Sequence, residues 1–266
     1  MIKHTYYFIR DIVDKRSVIY ELVKRDLQQQ YMGSYLGAVW LFLQPLLFIT
    51  ILYAVFTLGF RAGSVVDMPF SIYLVTGMVP WLYFSSNFSS NTGAIRRYAF
   101  LVKKVDFRLS VLPIVTMASS LVAHIFLLIV AICLAWYQGI APSIYTLQLI
   151  YYLIAMTALL LGLGWMTSST SIFIKDVANV VSILVQFGFW LTPIFWNIDM
   201  IPEKYRWIIE LNPMYYIITG YRESIVSHVP FWESDNTIYF WAFTLVCLYF
   251  GISIYRRLRP HFAEVV

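Results

Sequence analysis

Charge is scarce in this chain. Of 266 residues, 12% are Asp, Glu, Lys or Arg and 60% are hydrophobic, whereas a water-soluble domain carries about 25% charged residues. That excludes a soluble fold and leaves an integral membrane protein with no stretch to spare for a soluble domain. Cysteine is nearly missing too. Cys133 and Cys247 each sit inside an apolar run, so there is no disulfide framework and no metal-ligand spacing. Carboxylates avoid the apolar runs: Asp67, Asp199 and Asp235 all fall between them. A proton-coupled transporter wants an acid at membrane depth, so transport here needs another energy source. There is no G-x-x-x-x-G-K-[ST], no H-E-x-x-H and no G-x-S-x-G, so no P-loop, zincin or serine-hydrolase chemistry is expected. The histidines His4, His124, His228 and His261 are scattered. No catalytic residue and no metal site are assigned. His124 lies within an apolar run, where it serves either as a helix–helix hydrogen bond or as a proton relay. No cleavable signal peptide, internal repeat or low-complexity tract is visible.

What is present is six apolar runs, at about 33–60, 70–93, 109–137, 145–173, 177–196 and 237–255, each long enough to cross a bilayer. The first is interrupted at Gln44-Pro45. The second has Pro80 midway and a polar half, Ser85, Ser86, Asn87, Ser89, Ser90, Asn91 and Thr92. Lys and Arg fix the orientation. Fifteen of the nineteen fall in 1–32, 94–108, Lys175 and 256–266, while Arg61, Lys204, Arg206 and Arg222 fall on the other side. Both termini are therefore expected in the cytoplasm, which needs an even number of spans. The basic excess follows topology, so no nucleic-acid partner is expected from the net charge of +5.

The predicted fold is an all-α polytopic membrane protein in three parts: an amphipathic arm at 1–32, a six-span domain at 33–255 and a tail at 256–266. In the arm, Ser17 is a plausible N-cap, and Ile19, Leu22, Val23 and Leu27 share one helical face. Asp26 interrupts that apolar arc. A helix lying on anionic lipid would not want a carboxylate there, whereas a helix contacting protein could use it. The stretch 94–108, AIRRYAFLVKKVDFR, interleaves cations with Tyr98, Phe100, Leu101, Val105 and Phe107. It suits docking into a groove on a protein partner, although a basic loop also fixes topology by itself.

Between the fifth and sixth runs the chain stops behaving like a span. Pro193, Pro202 and Pro213 break it. A helix is expected at about 202–211, opened by Pro202, and another at about 213–227, capped by Asn212 with Pro213 at its first position. Neither is long enough to cross. The pair, within 197–235, reads either as a capped hairpin outside the membrane or as a re-entrant gate. Trp81, Tyr83, Phe84, Trp190, Phe195, Trp196, Tyr215 and Tyr216 gather on or near this half. Aromatic belts explain many such residues. Flat rings with O–H and N–H donors also suit sugar rings.

These motifs carry a resemblance. Leu22–Phe48 resembles the leading segment of ABC-type polysaccharide export permeases. The matching residues are Arg25-Asp26-Leu27, Tyr31, Ser34, Leu36-Gly37, Trp40 and Pro45. Gln28-Gln29-Gln30 departs from that leading segment, where many relatives carry Lys or Arg, and the run LNPMYYIITGYR at 211–222 resembles the family's second hallmark. The resemblance implies a homodimer in the bacterial inner membrane and a separate ATP-hydrolysing subunit that holds ATP and Mg. It also implies a channel for a lipid-linked glycan, often an undecaprenyl diphosphate, with O-antigen the favoured cargo. Glu21, Arg25, Arg96, Arg97, Lys103, Lys104, Lys175 and Asp176 would couple to the ATPase, and Lys24 with Arg25 would meet the lipid phosphate. The eight aromatics would line the channel or gate. The alternatives are a permease for a drug or small lipid, a structural membrane scaffold, and a membrane glycosyltransferase. The glycosyltransferase would draw on Asp199, Glu203, Glu210 and Glu223.

Overall fold

The computed structural model describes residues 15–31, 34–61, 63–65, 68–98, 109–234 and 236–262. Helix α1, Arg16–Tyr31, is the arm. It starts one residue before the expected cap, so Ser17 lies in its first turn. Helix α2, Trp40–Ala54, follows a short 3₁₀ turn at Gly37–Val39 and runs through Pro45 into a π turn at Val55–Gly59. Two-residue strands β1, Ser64–Val65, and β2, Met68–Pro69, pair antiparallel, with Val65 opposite Met68. Then come α3, Phe70–Thr92, one turn of α4, Ala94–Arg97, and α5, Leu112–Tyr137. Next are α6, Gln148–Phe173, and α7, Asp176–Leu191. The hairpin is α8, Glu203–Glu210, and α9, Pro213–Arg222, which unwinds into a π turn at Glu223–Ser227. Helix α10, Thr237–Leu258, ends the described chain with a 3₁₀ turn.

Among the described residues four helical segments are long and apolar enough to cross a membrane: Gly37–Gly59, Leu109–Tyr137, Ile144–Phe173 and Thr237–His261. Helix α3 has the length but not the apolarity, because of its serine- and asparagine-rich half. The expected fifth span is shorter than its apolar run. Helix α7 stops at Leu191, because Thr192 turns extended (φ −85°, ψ 135°) ahead of Pro193, as a residue before proline prefers.

Two cores hold the fold. The larger joins α3, α5, α6 and the hairpin around Leu74, Met78, Met156, Leu159, Ile217 and Phe240. The smaller lies at the arm's end of the bundle, where Leu22 of α1 meets Ile95, Tyr98, Leu112, Ile172, Tyr255 and Phe262. The arm therefore packs on its own chain. Helices α6 and α10 meet at a glycine crossing. A methyl built on Gly251 would overlap the Gly162 carbonyl, and one on Gly162 would overlap the Cys247 and Leu248 backbone. Small residues permit this approach where hydrocarbon offers no hydrophobic drive between helices.

Three residues of the polar half of α3, Asn87, Asn91 and Thr92, are spent inside the bundle. The Ser120 hydroxyl donates to Asn87 Oδ1 at 2.8 Å, and the Thr116 hydroxyl meets Asn91 Oδ1. The Thr92 and Thr167 hydroxyls lie 3.0 Å apart, and Ser171 donates to the Thr92 carbonyl at 2.6 Å. These bonds tie α3 to α5 and α6. Gly251→Leu is expected to separate α6 from α10 at a cost of about 1–3 kcal/mol, as for an overpacked core. A thermal melt of the detergent-solubilised protein reads this as a loss on the order of 5 °C; an unchanged melt would place the crossing outside the stability-determining core.

Candidate functional site, a helical hairpin held by one buried arginine

The hairpin is seated by capping that the sequence dictates. Asn212 accepts from the Met214 backbone N–H at 3.0 Å, with Pro213 at the first helical position. Its amide also donates to the Thr192 hydroxyl at 2.7 Å, joining α9 to the broken end of α7. Pro202 sits at the cap of α8 rather than inside it, and α8 ends at Glu210. Helix α9 ends at Arg222, earlier than the expected 227, and the π turn closes on His228 in the left-handed region (φ 55°).

Beyond the last helical bond of α7, from the Thr192 N–H to the Gly188 carbonyl at 2.9 Å, residues 193–196 are not helical, yet Thr192, Ile194 and Phe195 are buried. Buried carbonyls need donors. Arg222 and Tyr73 supply two of them. Arg222 Nη2 donates to the Ile194 carbonyl at 2.9 Å and to the Tyr73 carbonyl at 3.3 Å. The guanidinium lies 3.7 Å from the Tyr73 ring centroid, a cation–π arrangement. Tyr73 donates to the Trp196 carbonyl at 2.7 Å. Gly77 makes room, since a methyl there would meet Arg222 Nη2 and the Ile194 carbonyl. Arg222, 8% exposed, thus binds α3, the α7 exit and α9 together. Burial pushes the neighbouring Glu223 carboxyl up to about 7.

The eight aromatics divide. Trp81, Tyr83, Phe84, Phe195 and Tyr216 are buried in the packed core. Tyr83 donates to the Met117 carbonyl at 3.3 Å, and the Tyr216 hydroxyl meets that of Tyr151 at 3.0 Å. Trp196 and Tyr215 are half-buried and Trp190 is exposed. Within the single chain the structure gathers five of the eight for packing and leaves three accessible beside the hairpin.

At the arm's end Asp26, 2% exposed, accepts from Arg97 at 3.2 Å and Tyr98 at 3.1 Å. The carboxylate that interrupts the apolar arc faces protein. Arg96 donates to the Ser171 and Ile172 carbonyls, which lie in the unsatisfied last turn of α6. Arg96 and Arg97 therefore brace the bundle. Glu21, Lys24, Arg25, Lys175 and Asp176 are exposed on the same end. Lys103 and Lys104 lie outside the described residues. His124, 2% exposed, bonds through Nε2 to the Tyr221 hydroxyl at 3.0 Å, the helix–helix bond of the two readings offered above.

One feature escaped sequence reasoning. Helix α7 buries Val181 alone. Asn179, Ser182 and Gln186 are all exposed on it, at i, i+3 and i+7, so they form one stripe. Their spacing was readable, but the exposure of that stripe needed the fold. Asp199 pairs with Arg206 at 3.1 Å. None of Asp199, Glu203, Glu210 and Glu223 lines the bundle's cleft of about 260 Å³ between α2, α3 and α5.

A bundle with four helical segments long and apolar enough to cross a membrane, and a short capped hairpin folded against it, defines a polytopic membrane protein. A family profile described as ABC-2 type transporter matches residues 17–226, and the chain belongs to that family. It is 30% identical over 247 residues to the O-antigen export system permease protein RfbA of Klebsiella pneumoniae, covering 92% of this chain and 93% of the relative. It is 26% identical over 261 residues to the RfbA of Myxococcus xanthus, covering 97% and 98%. It is 25% identical over 244 residues to the polysialic acid transport protein KpsM of Escherichia coli, covering 88% and 91%.

Arg222→Ala is expected to leave the Ile194 carbonyl without a side-chain donor, at about 1–3 kcal/mol, while the Tyr73 carbonyl keeps the Thr76 hydroxyl at 3.2 Å. Limited proteolysis should then cut between 197 and 212 sooner than in the parent chain. Arg222→Lys should rescue only partly, because an ammonium lacks the planar fork. Equal protection of all three chains would remove Arg222 from this role.

Proposed function

We propose that this chain is the membrane-crossing subunit of an ATP-driven polysaccharide exporter, with lipid-linked O-antigen as its cargo. The observation that carries the reading is the stripe of Asn179, Ser182 and Gln186 on α7, which buries Val181 alone. Lipid does not reward amides and hydroxyls at membrane depth, whereas a water-filled path or a facing protein does. Helix α2 is equally bare, burying Ile49 alone. In this reading two copies meet through α2 and α7, and the stripes face a polar channel between them. Trp190, Trp196 and Tyr215 stand at its hairpin end, where their rings let sugars slide. The similarity to O-antigen and capsule permeases over nearly the whole chain supports the cargo.

In this reading α3 and the shorter α7, whose 16 residues are continued by the non-helical 192–196, join the four long apolar segments to make six crossings. Twenty-three residues of α3 reach about 35 Å at 1.5 Å per residue. The arm, α4 and the ends of α6 and α10 then lie in the cytoplasm with most of the Lys and Arg, and the hairpin lies outside, in a bacterial inner membrane. The ATPase partner, which carries ATP and Mg, docks against Glu21, Arg25, Lys175 and Asp176, while Arg96 and Arg97 hold that surface in place. The segment with Lys103 and Lys104 completes it. Lys24 and Arg25 meet the undecaprenyl diphosphate where the glycolipid enters.

The test is a double replacement on a surface that the single chain does not pack. With Ser182→Leu and Gln186→Leu the chain should insert in normal amounts and export about tenfold less polysaccharide, the effect of roughly 1.4 kcal/mol, read by surface staining with a glycan-specific antibody. Normal surface polysaccharide from the double variant would reject the channel.

A further inference from the structure

The cleft between α2, α3 and α5 has no part in the export path described above. Its volume is about 260 Å³. Each helix presents one stripe to it. Helix α2 gives Trp40, Gln44 and Phe48; α3 gives Leu82, Tyr83, Ser86, Asn87 and Ser90; α5 gives Thr116, Ser120 and His124. The spacings of three, four and seven residues make each set one helical face. The walls thus combine aromatic surface with hydroxyls, amides and an imidazole.

The lining contains no Lys or Arg among the described residues. Asp26 sits at one end, but its carboxylate is engaged by Arg97 and Tyr98. A phosphate or any other anion has no countercharge here. An acyl chain would strand the polar wall, because polar groups facing hydrocarbon lose their hydrogen bonds. Ser86 and Gln44 are exposed to the space. His124 forms the inner wall; its Nε2 is bonded to the Tyr221 hydroxyl, and its Nδ1 makes no hydrogen bond among the described residues. Flat apolar area rimmed by neutral donors and acceptors is the chemistry that recognises a polyhydroxylated ring. The volume lies near the lower end of ligand pockets, so it admits one ring and not a chain.

We propose that this cleft is a sugar subsite, separate from the channel, which seats one neutral hydroxylated ring of the glycolipid between α2 and α3. The inference rests on the export reading. The ring stacks on Trp40 or Phe48 and exchanges hydrogen bonds with the exposed Gln44 and Ser86. Its inner edge reaches His124, which through Tyr221 contacts α9 beside Arg222. A seated ring therefore touches the helix that holds the hairpin.

The experiment is photocrosslinking in membranes of polysaccharide-producing cells, with the full permease and its ATPase present. The photoreactive residue p-benzoylphenylalanine replaces Leu41 or Ser86 in the cleft, Gln186 on the proposed channel stripe, or Leu245 on an exposed face of α10. Two cleft positions on different helices guard against one that disturbs folding. After irradiation the purified chain is probed for a mass increase and with a glycan-specific stain. Glycan adducts at the cleft and at Gln186, with only lipid adducts at Leu245, are the expected result. Glycan adducts at Gln186, with none or lipid alone at both cleft positions, would overturn the subsite and leave the export reading standing. The absence of glycan adducts at every position would overturn both.

Discussion

The architecture depends on satisfying backbone that is not helical. Where α7 stops, five residues at 192–196 run through the bundle with carbonyls that no helix pairs. Arg222 answers one of these demands by donating to Ile194, and it reaches across to the Tyr73 carbonyl of α3 while its face rests on the Tyr73 ring. Tyr73 then donates to Trp196, and Asn212 to Thr192. Three side chains, Tyr73 of α3, Arg222 of α9 and Asn212 at the cap of α9, thus stand in for the missing helical ladder. Without them the broken segment would carry an unsatisfied backbone that the membrane interior does not tolerate. The hairpin exists because those donors reach it, so its position is set by α3 as much as by its own caps.

Helix α3 runs the length of the bundle and serves both ends. Near its start it supplies the Tyr73 carbonyl and ring and the gap at Gly77 that admit Arg222. Near its end Asn87, Asn91 and Thr92 fasten it to α5 and α6, and Arg97 just beyond holds Asp26 of the arm. A movement of the arm against an external subunit has a packed, hydrogen-bonded route to the hairpin along this helix. Helices α2 and α7, by contrast, have little within the chain to hold them, and they are the surfaces a second copy would cover.

Much of this was legible in the sequence where a residue's local chemistry decides its place. Asn212 and Pro213 begin a helix because an amide cap and a fixed φ suit those positions. Asp26 in an apolar arc announced a buried partner, and Arg97 with Tyr98 provided it. The apolar runs located the helices to within a few residues, except at 192–196, where the hydrophobicity of Ile194, Phe195 and Trp196 looked like more span. Composition cannot tell a buried irregular segment from the end of a helix. The aromatics were read less well, since an aromatic residue on a membrane helix reads the same whether it packs inward, as Trp81 and Tyr216 do, or stands free, as Trp190 does. The cations of α4 looked like a docking patch, yet Arg96 and Arg97 turn back onto their own chain, because the last turn of α6 and the Asp26 carboxylate both lie within their reach. The Asn179, Ser182 and Gln186 stripe was present but silent until the fold exposed that face.

The central claim is that this chain works as half of an ATP-driven machine whose energy comes from a different polypeptide. It is tested most directly by purifying the chain from its native membrane in mild detergent and measuring the copy number of what accompanies it. The account predicts a P-loop ATPase at one copy per copy of this chain, in a particle holding two of each, whose ATP hydrolysis rises when lipid-linked polysaccharide is added. A chain that purifies without an ATPase and transfers sugar from a lipid donor by itself would contradict it.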